Sequence, residues 1–320
     1  MLEVETRTAP ARAAPAEPPQ PRPPQRRRRA GALPLLLLAP ATALVAAVIG
    51  WPLVQLALLS FQEFGRAQVF GQPARWVGLA NYASVLGDAE FWEVLWRTVA
   101  FAAVCVVAAM LLGIALALLM QRLPKPFRVL MSVGLLLAWA MPALTSTIVW
   151  GWMFDTEYGV VNGLLRDVLG LAEFDRRSWL IDPLGFFTVA AIVIVWGAVP
   201  FVAFMVYAGL TQVPEEQLEA AAIDGAGPAT RFTAIVLPQV APILVIATIL
   251  QLIWDLRVFT QIYVLQRAGA TTRDTHLLGT FIYSLAKEFS MAGAMATIML
   301  LITLALTGFY IRRMLREEEL

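Results

Sequence analysis

Residues 214–242 read PEEQLEAAAIDGAGPATRFTAIVLPQVAP. Pro214 followed by Glu215 and Glu216 is a helix-start signature, because proline's fixed φ suits a first turn and acids there face the positive end of the helix dipole. Leu218, Ala221 and Ala222 then recur at helical spacing until Gly225 and Gly227 end the helix. Pro228 predicts the first turn of a second short helix running through Phe232 to Leu237, and Pro238 opens a long apolar run. The stretch is therefore a helix, a turn and a helix, with a small-residue face at Ala220, Ala221 and Ala222.

On either side the composition leaves little that water would dissolve. Of 320 residues 59% are hydrophobic and 15% charged, against about 45–50% and about 25% in soluble globular chains. Six apolar stretches reach the roughly 20 residues that span a bilayer. They fall at about residues 33–61, 96–120, 129–154, 184–210, 237–264 and 291–311. The prediction is an all-α integral membrane protein of six transmembrane helices. Pro40, Pro52, Pro142, Pro200 and Pro242 lie inside these stretches as kinks, which neighbouring helices tolerate.

Charge gives the orientation. The segment 121–128 is short and basic (Arg122, Lys125, Arg128), the end carries Arg312, Arg313 and Arg316, and Arg26–Arg29 precede the first run. The connections 62–95 and 155–183 are longer, and the second holds six acids, among them Asp155 and Asp182, against three arginines. Positive flanks mark the cytoplasmic side, so both termini and the segment 211–236 are predicted inside. Residues 1–30, broken by seven prolines and poor in large apolar groups, read as a disordered cytoplasmic tail before the membrane domain at 31–320. The first apolar run exceeds the h-region of a signal peptide, about 7–15 residues, and so reads as an uncleaved helix.

Several chemistries are excluded. A net charge of +1 argues against nucleic acid as a partner. With Cys105 the only cysteine and His276 the only histidine, neither a disulfide, a cysteine cage nor a conventional triad is available, and no metal site is predicted. Cys105, in the apolar run 102–109, reads as a small buried hydrophobe. No G-x-x-x-x-G-K-[S/T] occurs, so ATP chemistry is not expected on this chain.

Glu219-Ala220-Ala221, then Gly225 after three residues, then nine residues, then Ile235-x-Leu237-Pro238 resembles the EAA loop of permease subunits of binding-protein-dependent ABC importers. Asp224, Ala226 and Phe232 complete the match. The resemblance continues through Val77-Gly78-Leu79, Asn81, Tyr82, Phe91 and Trp92, through Gly159, Asn162 and Leu165, and through Trp196, Pro200, Gly209 and Leu210. It resumes at Phe259, Thr275, Leu277, Tyr283, Phe289, Gly293 and Ala296, in the manner of the carbohydrate subgroup typified by maltose and glycerol-phosphate permeases. It departs at residues 266–270, where the subgroup has Thr-x-Gly-Gly-Pro and this chain has Gln-Arg-Ala-Gly-Ala.

The resemblance implies a coupling helix between the fourth and fifth spans that docks on a nucleotide-binding subunit, Glu219 offering a carboxylate to a basic residue there. It also implies two ATPase subunits carrying ATP and Mg, an extracytoplasmic solute-binding protein, a second and non-identical permease, and a location in the bacterial cell membrane. The chain itself is then no enzyme. It forms half of an alternating-access path for a sugar or oligosaccharide. A non-sugar solute such as glycerol-phosphate or a polyamine is the alternative, and an ion-coupled secondary transporter a more distant one.

A contact for that cargo is sought on the fifth span. Thr248, Gln251 and Asp255 follow at spacings of three and four with Phe259 next, so they share a helix face, Asp255 about 25 Å along from Pro238. Such a polar stripe suits sugar hydroxyls and the aromatic suits ring C–H groups, while hydrogen bonding to a neighbouring helix is the other reading. Trp196 and Trp150 are further candidates, for cargo or for packing, and Arg257 is predicted to snorkel to the headgroups.

Overall fold

The computed structural model describes residues 33–285 and 288–317. The predicted tail at 1–30 with its arginine run lies outside the described residues, as do the side chains of Arg313 and Arg316. The chain divides into two units, Met1–Pro52 and Leu53–Leu320. The described part of the first is helical, α1 (Leu33–Val45) leading into a π-turn at Ala46–Gly50.

The second unit takes up α2 (Trp51–Ser60) and continues through a small hairpin. In it β1 (Gln62–Glu63) pairs antiparallel with β2 (Arg75–Trp76), Gln62 opposite Trp76, around α3 (Arg66–Val69). These two short strands are a departure from the all-α expectation. After α4 (Ala80–Gly87) come the long α5 (Ala89–Arg122), then α6 (Lys125–Ala140) and α7 (Ala143–Met153). Next are α8 (Val160–Asp167), α9 (Pro183–Leu210), α10 (Glu215–Ile223) and α11 (Pro228–Arg231). The chain closes with α12 (Leu237–Leu256), α13 (Thr260–Arg267), α14 (Leu278–Ser284) and α15 (Phe289–Glu317).

Among the described residues five helical stretches are long and apolar enough to cross a membrane: Leu36–Ser60, Ala89–Arg122, Pro183–Leu210, Pro228–Arg267 and Phe289–Arg312. The pair α6 and α7 makes a sixth only if both arms are counted together, for they meet at 101°. This corrects the single span, kinked at Pro142, predicted at 129–154: the chain forms two helices there. Met141 precedes a proline, which disfavours the helical region for it, and both Met141 and Pro142 adopt extended ψ, 127° and 137°. Two consecutive extended residues end one helix and start another.

Other prolines do less. The π-turn at Phe232–Val236 lies immediately before Leu237 and Pro238. Proline donates no N–H and crowds the carbonyl four residues back, and a widened turn absorbs that without ending the helix. Helix therefore continues from Pro228 to Leu256, so the second short helix expected before Pro238 is fused to the span. The predicted boundary at 236/237 does not exist as a break.

Packing centres on α5 against α9. A Cβ on Gly113 would stand 2.5 Å from Val202 Cγ1, so only glycine permits this approach of the two helices. Along the seam, Phe101, Cys105 and Ala109 meet Phe186, Val189 and Ala190, and farther along Ala117 meets Val202 and Val206. Cys105 is fully buried, as its apolar run predicted.

Two asparagines hold the connections in shape. Asn81 Nδ2 donates to the carbonyls of Ser60 (2.8 Å) and Gln62 (2.9 Å), tying α4 to the end of α2. Buried Asn162 donates to Arg177 O (2.9 Å) and accepts from Trp179 Nε1 (2.7 Å), closing the loop between α8 and α9. Beside it the Asp155 carboxylate accepts from the backbone N–H groups of Glu157 (2.8 Å) and Tyr158 (2.9 Å), and those bonds hold its pKa below the ordinary carboxylate value.

Candidate functional site

Two polar regions stand out from the apolar bulk. The first is α10 with its turn. The acids Glu215 and Glu216 occupy its first turn, and the helix ends in a Schellman motif. Ala226 N donates to Ala221 O (2.9 Å) and Gly225 N to Ala222 O (3.1 Å), with Gly225 at φ +83°, a conformation that costs other residues about 1–2 kcal/mol. Glu219, Ala220, Asp224 and Gly225 are exposed, whereas Ala221, Ala226 and Phe232 are half-buried. Ile223 is 87% exposed at the tip. Gln239 Nε2 donates to Gln217 Oε1 (2.7 Å), which ties α10 to the start of α12. Among the described residues none of the four acids Glu215, Glu216, Glu219 and Asp224 forms an ion pair.

The second region is a cavity of about 380 Å³ among α6, α7, α9 and α12. Gln251 and Asp255, one helical turn apart, line it and are only 1% and 3% exposed. Gln251 Nε2 donates to Asp255 Oδ1 at 2.8 Å, which leaves Gln251 Oε1 and Asp255 Oδ2 buried with no partner among the described residues. Leaving buried polar atoms unsatisfied costs about 1–3 kcal/mol each, more for a charged group, so the pair is poised to accept hydrogen bonds from something that enters. Trp139, Trp196, Trp254 and Phe259 supply aromatic walls.

The six residues read from the sequence as cargo contacts divide here. Gln251, Asp255, Phe259 and Trp196 line this cavity. Phe259 reaches it by a different route from the one predicted. The helix ends at Leu256, and Phe259 has φ −130° and ψ −58° at the start of α13, so it stands at a break and does not continue the stripe. Thr248 does not line the cavity, and its hydroxyl donates to Leu244 O at 2.7 Å within its own helix. Trp150 is displaced too. It packs among core residues, stacked with Phe154 at 6.3 Å and edge-on to Trp196 at 5.9 Å, and so backs the ring that faces the cavity.

Sequence reasoning missed some lining residues. Trp254, three positions after Gln251, lies close enough on the helix wheel to be found from spacing alone. Arg257, predicted to point to the headgroups, lines the cavity from an exposed position because the helix ends beside it. Ser146 lines it from α7, which leaves α6 at 101° after Pro142.

Residues 109–316 match the model of the family described as binding-protein-dependent transport system inner membrane component. The chain belongs to that family. It is a multi-pass inner-membrane permease component of an ABC importer, and family membership displaces the ion-coupled alternative. The diacetylchitobiose uptake system permease protein DasB of Streptomyces coelicolor is 41% identical over 91% of this chain and 89% of its own. The trehalose/maltose transport system permease protein MalF of Thermococcus litoralis is 35% identical over 74% of this chain and 79% of its own. A chain of a bacterial alginate ABC transporter, solved with an alginate pentasaccharide-bound periplasmic protein, shares the fold with a TM-score of 0.73 at 20% identity. The match covers 87% of this chain and 92% of that one.

Proposed function

We propose that this permease component carries a neutral sugar or oligosaccharide through the Gln251–Asp255 cavity. The observation that carries the reading is the pairing of two buried, unsatisfied acceptors with walls of Trp139, Trp196, Trp254 and Phe259. Sugar hydroxyls are hydrogen-bond donors that would satisfy Gln251 Oε1 and Asp255 Oδ2, and pyranose C–H faces pack against indole and phenyl rings. The relatives named for diacetylchitobiose and trehalose/maltose support the same class.

In this proposal the exposed α10 is the coupling helix. Glu219, Ala220, Ala221, Asp224, Gly225, Ala226 and Phe232 transmit movement from a separate nucleotide-binding subunit, where ATP and Mg reside, and this chain holds no cofactor of its own. Because helix runs unbroken from Pro228 into the fifth span, a push on the turn reaches Gln251 along one rod. Both ends of the membrane domain face the cytoplasm, and a second, non-identical permease completes the path. An extracytoplasmic binding protein delivers cargo.

The test is ATP-dependent uptake into liposomes holding the permease pair and ATPase, with binding protein outside. The panel is diacetylchitobiose, trehalose, maltose, glycerol-phosphate and a polyamine. Saccharide uptake abolished by Asp255→Leu is the expected result; selective uptake of glycerol-phosphate or the polyamine would overturn the cargo assignment.

A further inference from the structure

We propose that a second cavity, of about 250 Å³ between α13 and α14, is a carbohydrate subsite that takes one pyranose ring of an oligosaccharide whose neighbouring ring lies against Gln251 and Asp255. The proposal rests on the carbohydrate reading above. It goes beyond that reading by assigning a new site and by making the cargo at least a disaccharide.

Continuity between the two cavities is the first argument. Phe259 lines the Gln251–Asp255 cavity. Its ring stacks on Tyr263 at 5.3 Å and 15° and meets Tyr283 edge-on at 5.5 Å, and Tyr263 and Tyr283 line the second cavity. The two tyrosines are themselves 5.2 Å apart at 79°. Three rings thus form one aromatic surface leading from the first cavity into the second.

Exposure is the second argument. An aromatic cluster that served only to pack α13 on α14 would be closed, yet Tyr283 is 53% exposed and Tyr263 is only half-buried. Part of each ring is therefore accessible from the cavity they line.

The rim supplies the third. Arg267 donates to Tyr263 Oη from Nη2 (3.0 Å) and Nε (3.3 Å), fixing the ring, and its guanidinium lies 5.4 Å from the ring centroid. His276 Nδ1 is engaged with Thr280 Oγ1 at 3.2 Å, so a ligand's hydrogen bond to the imidazole falls to Nε2. Aromatic rings with fixed polar groups around them are what a pyranose requires.

The experiment uses the complete transporter in liposomes with two probe series of one to four rings: β-1,4-linked N-acetylglucosamine and α-1,4-linked glucose. Tyr263→Ala, Tyr283→Ala and the cavity-filling Ser284→Trp are expected to lower the uptake ratio of the longest to the shortest carried saccharide about 5–10-fold, with Tyr→Phe at either position restoring most of it. Ser284→Cys adds a direct reading. Cys105, the chain's only other thiol, is fully buried, so a charged thiol reagent marks position 284 selectively in this chain. Carried saccharides of two or more rings should slow that labelling and a monosaccharide should not. Equal loss at every chain length, no loss, labelling that no saccharide slows, or a wild-type transporter restricted to one ring would each overturn the subsite while leaving carbohydrate transport standing. Failure of the wild type to carry any member of either series would instead remove the cargo reading itself.

Discussion

The α10 turn and the Gln251–Asp255 cavity are both polar regions of a largely apolar chain, and they treat polarity in opposite ways. Around α10 the four acids stand in solvent, where each carboxylate is satisfied by water and nothing is owed to the fold. In the cavity two acceptors are held out of water without partners, an arrangement that costs stability for as long as the site is empty. Exposed groups of this kind wait for a macromolecular surface, buried ones for a small molecule. The contrast implies that damage to the first region should disconnect the motor, whereas damage to the second should alter what is carried.

The largest effect is expected at the turn. Gly225→Val places a β-branched residue at φ +83°, and Glu219→Ala removes an exposed carboxylate; both should lower binding-protein-stimulated ATPase and uptake by more than about tenfold with membrane insertion intact, and Glu219→Ala should leave Tm nearly unchanged. Normal coupled ATPase in both variants would break the comparison. Next is Asp255→Asn, which puts amide N–H groups in place of an acceptor. Uptake should fall about 10–100-fold through KM, since hydrogen bonds to charged groups contribute about 1.5–3 kcal/mol, and an unchanged KM would show that the cavity does not meet cargo.

A third pair separates cavity from core. Trp150→Ala should lower Tm, because its ring packs against Phe154 and backs Trp196, while Trp196→Ala should act mainly on KM. Interchanged outcomes would mean that the cavity wall has been misassigned. The smallest effect belongs to Thr248→Val, whose hydroxyl already donates to Leu244 O; uptake should change less than about twofold.

How far these regions could be read in advance differs for the same reason that they behave differently. The helix start at Pro214–Glu216, the stop at Gly225 and the spacing from Glu219 to Pro238 are local signals, and the structure reproduces the helix within its predicted limits. Local rules underdetermined the continuation, since Pro238 reads as a start and proves to follow a π-turn within one rod. Within the cavity, the periodicity of Gln251 and Asp255 was legible, and so was the aromatic at Phe259. The break at Leu256, which turns Phe259 across the site, and the 101° turn from α6 into α7, which carries Ser146, were not.

The sequence by itself determined that the chain lives in a bilayer, roughly where its apolar stretches lie, and which exposed helix carries the family's signature. These follow from composition and from contacts within three or four residues, where backbone sterics and hydrogen bonding decide the outcome. Only the tertiary structure decided that Trp150 is core and Trp196 is wall, and that Tyr263 and Tyr283 extend the aromatic surface from Phe259. A side chain's partners across a helix interface depend on helix breaks and crossing geometry. Those are set by packing such as Gly113 against Val202, far apart in sequence and invisible to any local periodicity.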